Sequence, residues 1–462
     1  MSPAPDAAAR HAAHQLEVTR RLREIDQELL ARAPENDIDP SLAEITAVME
    51  LLGDPQRAFP VIHLTGTNGK TSTARLIESI LREHGLRTGR FTSPHLHDLR
   101  ERIALDGAAI EPEKFIAAYK EVRPYVEMVD ARTVAAGGPR MNYFQTLVAV
   151  AYAAFADSPV DVAIVEVGLG GRWDATNVAD GDVAVIGPIG VDHTRFLGDS
   201  VEQIATEKVG IIKTGAHVVS AAQDPAVAAI VAEAAEQAGA SLAVAGIDFA
   251  VTERVVAVGG QNLTVAGLAA TYADLFLPLH GAHQGDNAAM AVAAVECFVG
   301  GGSRALNIDV LRAGLAAVKS PGRLEIVRRS PTVIVDAAHN PHGARALAEA
   351  LKDSFAFGKL VGVIAVMADK DATGMLEIFE PIFDEVVISR TTSPRAMNPA
   401  ELGELAVEIF GEHRVSVVAD LPDAVDAAAE LADEGGVNGG IVATGSVVTA
   451  AEVRMLLGAD SV

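Results

Sequence analysis

The residues best suited to chemistry begin with Leu64-Thr65-Gly66-Thr67-Asn68-Gly69-Lys70-Thr71. This stretch follows the apolar run PVIHLTG and opens TSTARLIESILREHG, where Leu76, Ile77, Ile80 and Leu81 share one helical face. Strand, glycine-rich loop, lysine, hydroxyl residue and helix form the pattern of a phosphate loop. Small residues let backbone N–H groups approach phosphate oxygens, the helix N-terminus adds positive potential, and the lysine neutralises β/γ charge. A strict pattern needs Gly at position 64, where this chain has Leu. Asn68-Gly69 is also a hairpin signal, but a hairpin needs an alternating strand next, and the helical period that follows favours phosphate.

Single polar residues stand at the ends of other apolar runs. Glu166 closes VDVAIVEV ahead of a glycine-rich loop; a carboxylate there is costly to bury unless it binds a metal or a partner, or caps a turn. His193 follows DVAVIGPI, a place for a ligand or for a structural histidine. Lys208, in IATEKVGII, reads by itself as a lysine on a solvated helix face. Asn287 in HQGDNAAMA suits a helix-start cap, and Arg323 after Ser320-Pro321-Gly322 suits a salt bridge at a domain junction. Asp336, His339 and Ser446 follow strand-like runs, at the edge where α/β sheets bind ligands. His95 and His97 have no further ligand cluster near them in sequence and read as solvated loop histidines.

Positioning these residues calls for parallel strands alternating with helices. Apolar runs with little alternation, bounded by turn residues, suit strands covered on both faces. The predicted fold is α/β: a P-loop ATPase domain with a mostly parallel sheet, plus a smaller Rossmann-like C-terminal α/β domain. Residues 1–15 are expected to be a disordered tail, 16–319 the ATP-binding domain and 320–462 the second domain, with Ser320-Pro321-Gly322 as the punctuation between them. Residues 241–279 read as a small antiparallel excursion.

Composition narrows the partners. The net charge is −25, from 37 Lys+Arg against 62 Asp+Glu. That argues against nucleic acid or an anionic membrane, which would call for a basic face. Anionic ligands must then be held by local basic groups and backbone N–H groups. The single cysteine, Cys297, excludes an intrachain disulfide and fits a reducing compartment. The N-terminus has no apolar core of signal-peptide length, so a cytoplasmic protein is expected, and a monomer.

The ordered set of motifs resembles the Mur ligase superfamily, and within it the folylpolyglutamate synthases, including the bifunctional dihydrofolate synthase form. The segments that carry the resemblance are GTNGKTS at the loop, Thr92-Ser93-Pro94-His95-Leu96, Glu101-Arg102-Ile103, Glu166 through Asn177, Asp192-His193, Glu207-Lys208, His283-Gln284 with Asn287, Ser320 through Glu325, Asp336 through Pro341 and Thr444-Gly445-Ser446. Together they run from about residue 16 to the end of the chain. Gln145 stands where the family often has an acidic residue, and Thr71 where many members have Gly.

The resemblance implies ATP-dependent addition of L-glutamate to the carboxylate of folate or dihydropteroate, with Mg2+, through an acyl phosphate. Gly66, Thr67, Asn68, Gly69, Lys70 and Thr71 are implied as phosphate ligands, Asn287 as the adenine contact, Asp336 as the ribose contact, and Arg323 as a γ-phosphate contact on domain closure. Ser93 and Glu166 are implied at one Mg2+, Glu166 and His193 at a second. Lys70, Glu166, His193, Lys208 and Arg323 are implied in catalysis, with Lys208 matching a lysine that members can carry as a carbamate. His339 and Ser446 are implied at glutamate, and His95 and Arg102 near the pterin. A cell-wall precursor ligase would need a uridine-nucleotide domain before the loop, and only 59 residues precede Pro60. A GTP switch would need an Asn-Lys guanine signal, which does not occur. A dihydrofolate synthase alone and a non-catalytic nucleotide-binding regulator are the alternatives.

Overall fold

The computed structural model describes residues 4–34, 40–434 and 436–459. They form two compact units. One comprises residues up to His95, Leu99–Asp248 and Met290–Leu306; the other comprises Leu96–Asp98, Phe249–Ala289 and Asn307 onward.

The first unit is built on an eight-stranded sheet. Its strands are β1 (Val61–Thr65), β2 (Thr88–Phe91), β3 (Ile103–Leu105), β4 (Ala108–Ala109), β5 (Val162–Glu166), β6 (Gly181–Ile186), β7 (His217–Ser220) and β8 (Ser241–Val244), in the order β4-β3-β2-β5-β1-β6-β7-β8. β2 pairs antiparallel with β3, and β3 with β4; the other pairings of the sheet are parallel. Every residue of β1 and β5 is buried, as mostly apolar strands in a doubly covered sheet require. One face packs on the helices Pro112–Ala135 and Tyr143–Asp157 through Tyr119, Val122, Leu147 and Phe155. On the other side of the unit, Ala184, Ile186 and Val218 join Ile204 and Val231 of the helices Val201–Lys208 and Pro225–Gln237. Strand order reverses at β1, whose neighbours are β5 and β6, so the loop after β1 opens at the carboxyl edge where such sheets bind ligands.

The second unit contains an antiparallel three-stranded sheet, β9 (Ala250–Ala257), β10 (Gly260–Ala266) and β11 (Thr271–Leu277). It also holds a six-stranded sheet of β12 (Glu325–Arg329), β13 (Thr332–Val335), β14 (Lys359–Ile364), β15 (Glu385–Ile388), β16 (Val415–Val417) and β17 (Gly439–Thr444), ordered β12-β13-β17-β14-β15-β16. All but β12 run parallel there. Apolar cores cover both of its faces, one around Ile334, Leu347, Phe379 and Phe383, the other around Val335, Val361, Leu421 and Ile441.

Two features differ from the sequence reading. Residues Ser241–Val244 are a parallel edge strand beside β7, so the antiparallel excursion begins only at Ala250. The N-terminal stretch is helix from Ala4 to Leu30 rather than a loose tail. Alanine costs little side-chain entropy in a helix, and Val18 is a buried side chain on it. Residues 1–3 of that expected tail lie outside the described residues. Among the described residues no helix is long and apolar enough to cross a membrane.

Candidate active site

In the first unit the expected phosphate-loop and metal residues meet at the carboxyl edge of the central strands. Leu64 on β1 is in register with Glu166 on β5, and the Val167 N–H donates to the Leu64 carbonyl at 2.9 Å. Glu166 is only 2% exposed, and Thr71 of the loop helix (Lys70–Glu83) reaches its carboxylate at 2.9 and 3.0 Å. Phe91, which ends β2, is in register with Val165, so Ser93 lies just past the same edge.

The loop itself is a tight crossing of two backbones. Gly187, just after β6, donates to the Thr65 carbonyl at 2.8 Å. A Cβ on Gly66, which sits at φ 151°, would come 3.0 Å from the Gly187 Cα, and one on Gly187 would come 3.2 Å from the Asn68 carbonyl oxygen. Glycine at both places lets the loop lie against the strand end. The same logic explains the glycine-rich loop after Glu166. A Cβ on Gly171 would meet the carbonyl oxygens of Lys208 and Glu207 at 2.7 and 2.8 Å, and one on Gly210 would meet Arg172.

That packing places Lys208 inside. The side chain is buried rather than solvated, and its Nζ donates to the Gly66 carbonyl at 2.9 Å. Burial pushes its ammonium down to about 7, reinforced by the nearby charge of Lys70 and partly offset by Asp192 and Asp174. Lys70 turns back on the loop, donating to the Gly66 carbonyl at 2.9 Å and to that of Thr67 at 3.3 Å. Thr67 closes the loop against Gly190, its hydroxyl donating to that carbonyl and accepting from that N–H, each at 3.0 Å.

His193 stands apart from this cluster in character. It is exposed, in the left-handed region at φ 52°, and its N–H donates to Asp192 at 2.8 Å. Its ring Nε2 lies 4.0 Å from the Asp192 carboxylate. His95 accepts from the Arg102 Nε at Nδ1, 2.9 Å away, and the Arg102 guanidinium lies 5.2 Å over the Tyr143 ring. Gln145, in place of the family's acidic residue, completes a capping box with Asn142 at the start of its helix.

A buried polar chain beneath the loop escaped the sequence reading. Thr176 donates to Asp174, so its hydroxyl accepts from His63 Nε2 at 2.9 Å, and His63 is neutral. Burial holds His63 down to about 3, with Lys213 adding to the effect. Asp174 also accepts from the Leu169 N–H at 2.9 Å, which ties down the loop after Glu166. The only signal in the sequence was a histidine inside an all-apolar strand.

The second unit gathers the other expected residues. Asn287 donates to Gln284 at 3.1 Å, inside the helix Ala282–Gly300. Asp336, just past β13, accepts from the N–H groups of Leu324 and Ala338, each at 2.8 Å. Burial raises its carboxyl, against the opposing charge of Arg323. Arg323 is half-buried, and its guanidinium donates to the Gly322 carbonyl at 3.2 Å. His339 follows with Nδ1 donating to the Ala337 carbonyl at 2.9 Å, which fixes the ring. Ser446 follows β17 as the buried N-cap of the helix Val447–Leu456, accepting from the Thr449 N–H at 3.0 Å.

Among the described residues no group of His, Cys, Asp and Glu forms a metal cage. A buried carboxylate touching a loop hydroxyl at a phosphate loop is instead the sparse hard-oxygen set that Mg2+ shares with phosphates and water, so the residues fit.

A phosphate loop on the central strand of a parallel sheet, a buried carboxylate beside it and a second α/β unit define an ATP-dependent ligase of the Mur type. Residues 127–295 match the Mur ligase middle domain, and residues 322–447 match the Mur ligase glutamate ligase domain. The chain belongs to the dihydrofolate synthase/folylpolyglutamate synthase family. It is 48% identical over 459 residues to the dihydrofolate synthase/folylpolyglutamate synthase of Mycobacterium tuberculosis, covering 95% of this chain and 94% of that one. It is 32% identical to the Bacillus subtilis protein of the same name, covering 91% and 95%. The solved M. tuberculosis folylpolyglutamate synthase complexed with ADP superposes with a TM-score of 0.92 at 48% identity, over 96% of this chain and 100% of that one. E. coli FolC in complex with DHPP and ADP gives 0.82 at 30% identity, over 95% and 98%.

Proposed function

We propose that this chain adds L-glutamate to the carboxylate of folates, and to dihydropteroate, at the expense of ATP and through an acyl phosphate. The observation that carries the reading is the buried Glu166 carboxylate held by Thr71 of the phosphate loop. Complexes of relatives with ADP, and of one with DHPP, support the nucleotide and the pterin acceptor.

In this reading Gly66, Thr67, Asn68, Gly69 and Lys70 cradle the phosphates, with the amides of the loop and helix N-terminus supplying positive potential. Glu166 and Ser93, with Thr71 beside them, would hold Mg2+, and Glu166 with His193 a second ion; the metal would supply positive charge to neutralise and orient the phosphates. Asn287 is assigned to adenine and Asp336 to the ribose, each Asp336 oxygen retaining a lone pair beside the backbone N–H it accepts. Arg323 is assigned to the γ-phosphate, where charge moves in the transfer. The acceptor carboxylate attacks that phosphate, ADP leaves, and the glutamate amine then displaces inorganic phosphate from the acyl carbon. His339 and Ser446 are assigned to glutamate, and His95 and Arg102 to the pterin end of the acceptor. Lys208, neutral in part near pH 7, is the form of lysine that accepts CO2 as a carbamate. The compartment is read as cytoplasm, from the single buried cysteine Cys297.

The test is glutamate-dependent phosphate release from ATP, with dihydropteroate and with tetrahydrofolate supplied separately. Turnover with both is expected. Turnover with dihydropteroate alone restricts the chain to dihydrofolate synthesis, and release with neither acceptor overturns the reading.

A further inference from the structure

The turn that carries Arg323 is held by hydrogen bonds on both sides of that residue. Gly322 and Leu324 both lie in the left-handed region, at φ 67° and 48°. Leucine adopts that conformation only when its surroundings impose it. Two carboxylates impose it here. Asp336 accepts from the Leu324 N–H at 2.8 Å, and Glu325 accepts from the Gly322 N–H at 2.7 Å. The Gly322 carbonyl accepts from the Ala337 N–H at 2.9 Å. The backbone on both sides of Arg323 is thereby fixed, while among the described residues no carboxylate pairs with the guanidinium, which donates to the adjacent carbonyl at 3.2 Å.

Glu325 is itself fixed from the far end of the chain. Arg454, on the helix Val447–Leu456, donates through Nε to Glu325 Oε2 at 2.7 Å and through Nη2 to Oε1 at 3.1 Å. Arg454 is only 3% exposed. Its remaining Nη1 donates to Nε2 of His97 at 2.7 Å. Leu96, next to His97, lies against the turn, since a Cβ on Gly322 would be 3.4 Å from it. A forked pair whose arginine is buried and whose carboxylate is partly exposed fixes geometry as well as charge.

We propose that Arg454 is a positioning residue for the ligase reaction. It orients Glu325, which holds the Gly322 N–H and so aims Arg323 at the phosphate that is transferred. The inference rests on the assignment of Arg323 to that phosphate. Displacing a charge by about an ångström from its working position lowers turnover by up to roughly a hundredfold.

The test compares steady-state turnover and thermal unfolding for Arg454→Met, Arg454→Lys, Glu325→Gln and Arg323→Ala, and for the Arg323→Ala/Arg454→Met pair. Folded Arg454→Met is expected to lose roughly tenfold to a hundredfold in kcat with KM for ATP changed far less. Arg454→Lys keeps the charge but not the fork and is expected to recover part of the loss. Glu325→Gln retains an acceptor for the Gly322 N–H and is expected to fall between them, which keeps the test open if Arg454→Met does not fold. In the double variant the Arg454 substitution is expected to add nothing to the Arg323→Ala loss, the mark of residues acting through one another. Wild-type kcat in folded Arg454→Met, or full additivity in the pair, overturns the proposal. Wild-type kcat in Arg323→Ala instead overturns the phosphate assignment on which it rests.

Discussion

Lys70 and Lys208 donate to the same atom, the carbonyl oxygen of Gly66, each at 2.9 Å. One stands at the start of the helix that follows the loop, the other at the end of the helix Val201–Lys208. Burial pushes the Lys208 ammonium down to about 7, and the repulsion of Lys70 on the same carbonyl adds to it.

A depressed lysine has a defined pH signature. Between about 7 and 10.5 the unfolded chain holds a proton that the folded Lys208 has released, so stability from this group rises with pH across that window. The contribution is complete above the unfolded value and lost as pH falls through about 7. Chemical denaturation of wild type and Lys208→Met across this range should show wild type gaining on the variant as pH rises. A constant difference would mean the ammonium is not depressed.

Thr71 and Glu166 make a paired prediction. Removing the hydroxyl in Thr71→Val takes a donor from a carboxylate that is 2% exposed. The cost should be about 1–3 kcal/mol in unfolding free energy, together with a higher KM for Mg-ATP, and Thr71→Ser should restore both. Glu166→Gln should lower kcat on the order of a hundredfold or more, as loss of a group that stabilises moving charge does. Chelation of Mg2+ should abolish turnover in wild type. Undiminished kcat in Glu166→Gln would remove this carboxylate from the metal site.

His63 predicts an acid limb. It is neutral in the fold, held down to about 3, and titrates near 6.5 when unfolded. Its contribution is therefore present above about 6.5 and lost as pH falls toward about 3. His63→Met should be less stable near neutral pH by about 1–3 kcal/mol, from the broken bond to Thr176. It should also lose stability less steeply on acidification. Parallel urea midpoints for the two proteins down to about pH 4 would contradict this.

Ser446 separates the substrates. As the buried N-cap of its helix, its replacement by Ala should cost about 1 kcal/mol. If it contacts glutamate, Ser446→Ala raises KM for glutamate by about tenfold, the equivalent of one hydrogen bond, and leaves KM for ATP in place. The reverse pattern would move the glutamate site elsewhere.

The phosphate loop, the strand-end Glu166 and the succession of parallel strands were legible because each is written in adjacent residues. Apolar runs, glycine spacing and helical period are local properties, and the motifs lie in an order that the resemblance could use. The glycine pairs were visible as letters, but their reason was not: Gly66 meets Gly187, and Gly171 meets the carbonyls of Glu207 and Lys208.

By itself the sequence determined an acidic α/β chain with a phosphate loop on a parallel strand, and the residue types at each strand end. Tertiary structure alone decided which of them touch. Lys208 reads as a surface lysine until the loop after Glu166 buries it against Gly66. Arg454 is an ordinary helix arginine until Glu325 meets it 129 positions away. Burial and charge pairing depend on atoms far apart along the chain, and those are brought together only when the sheet closes its faces.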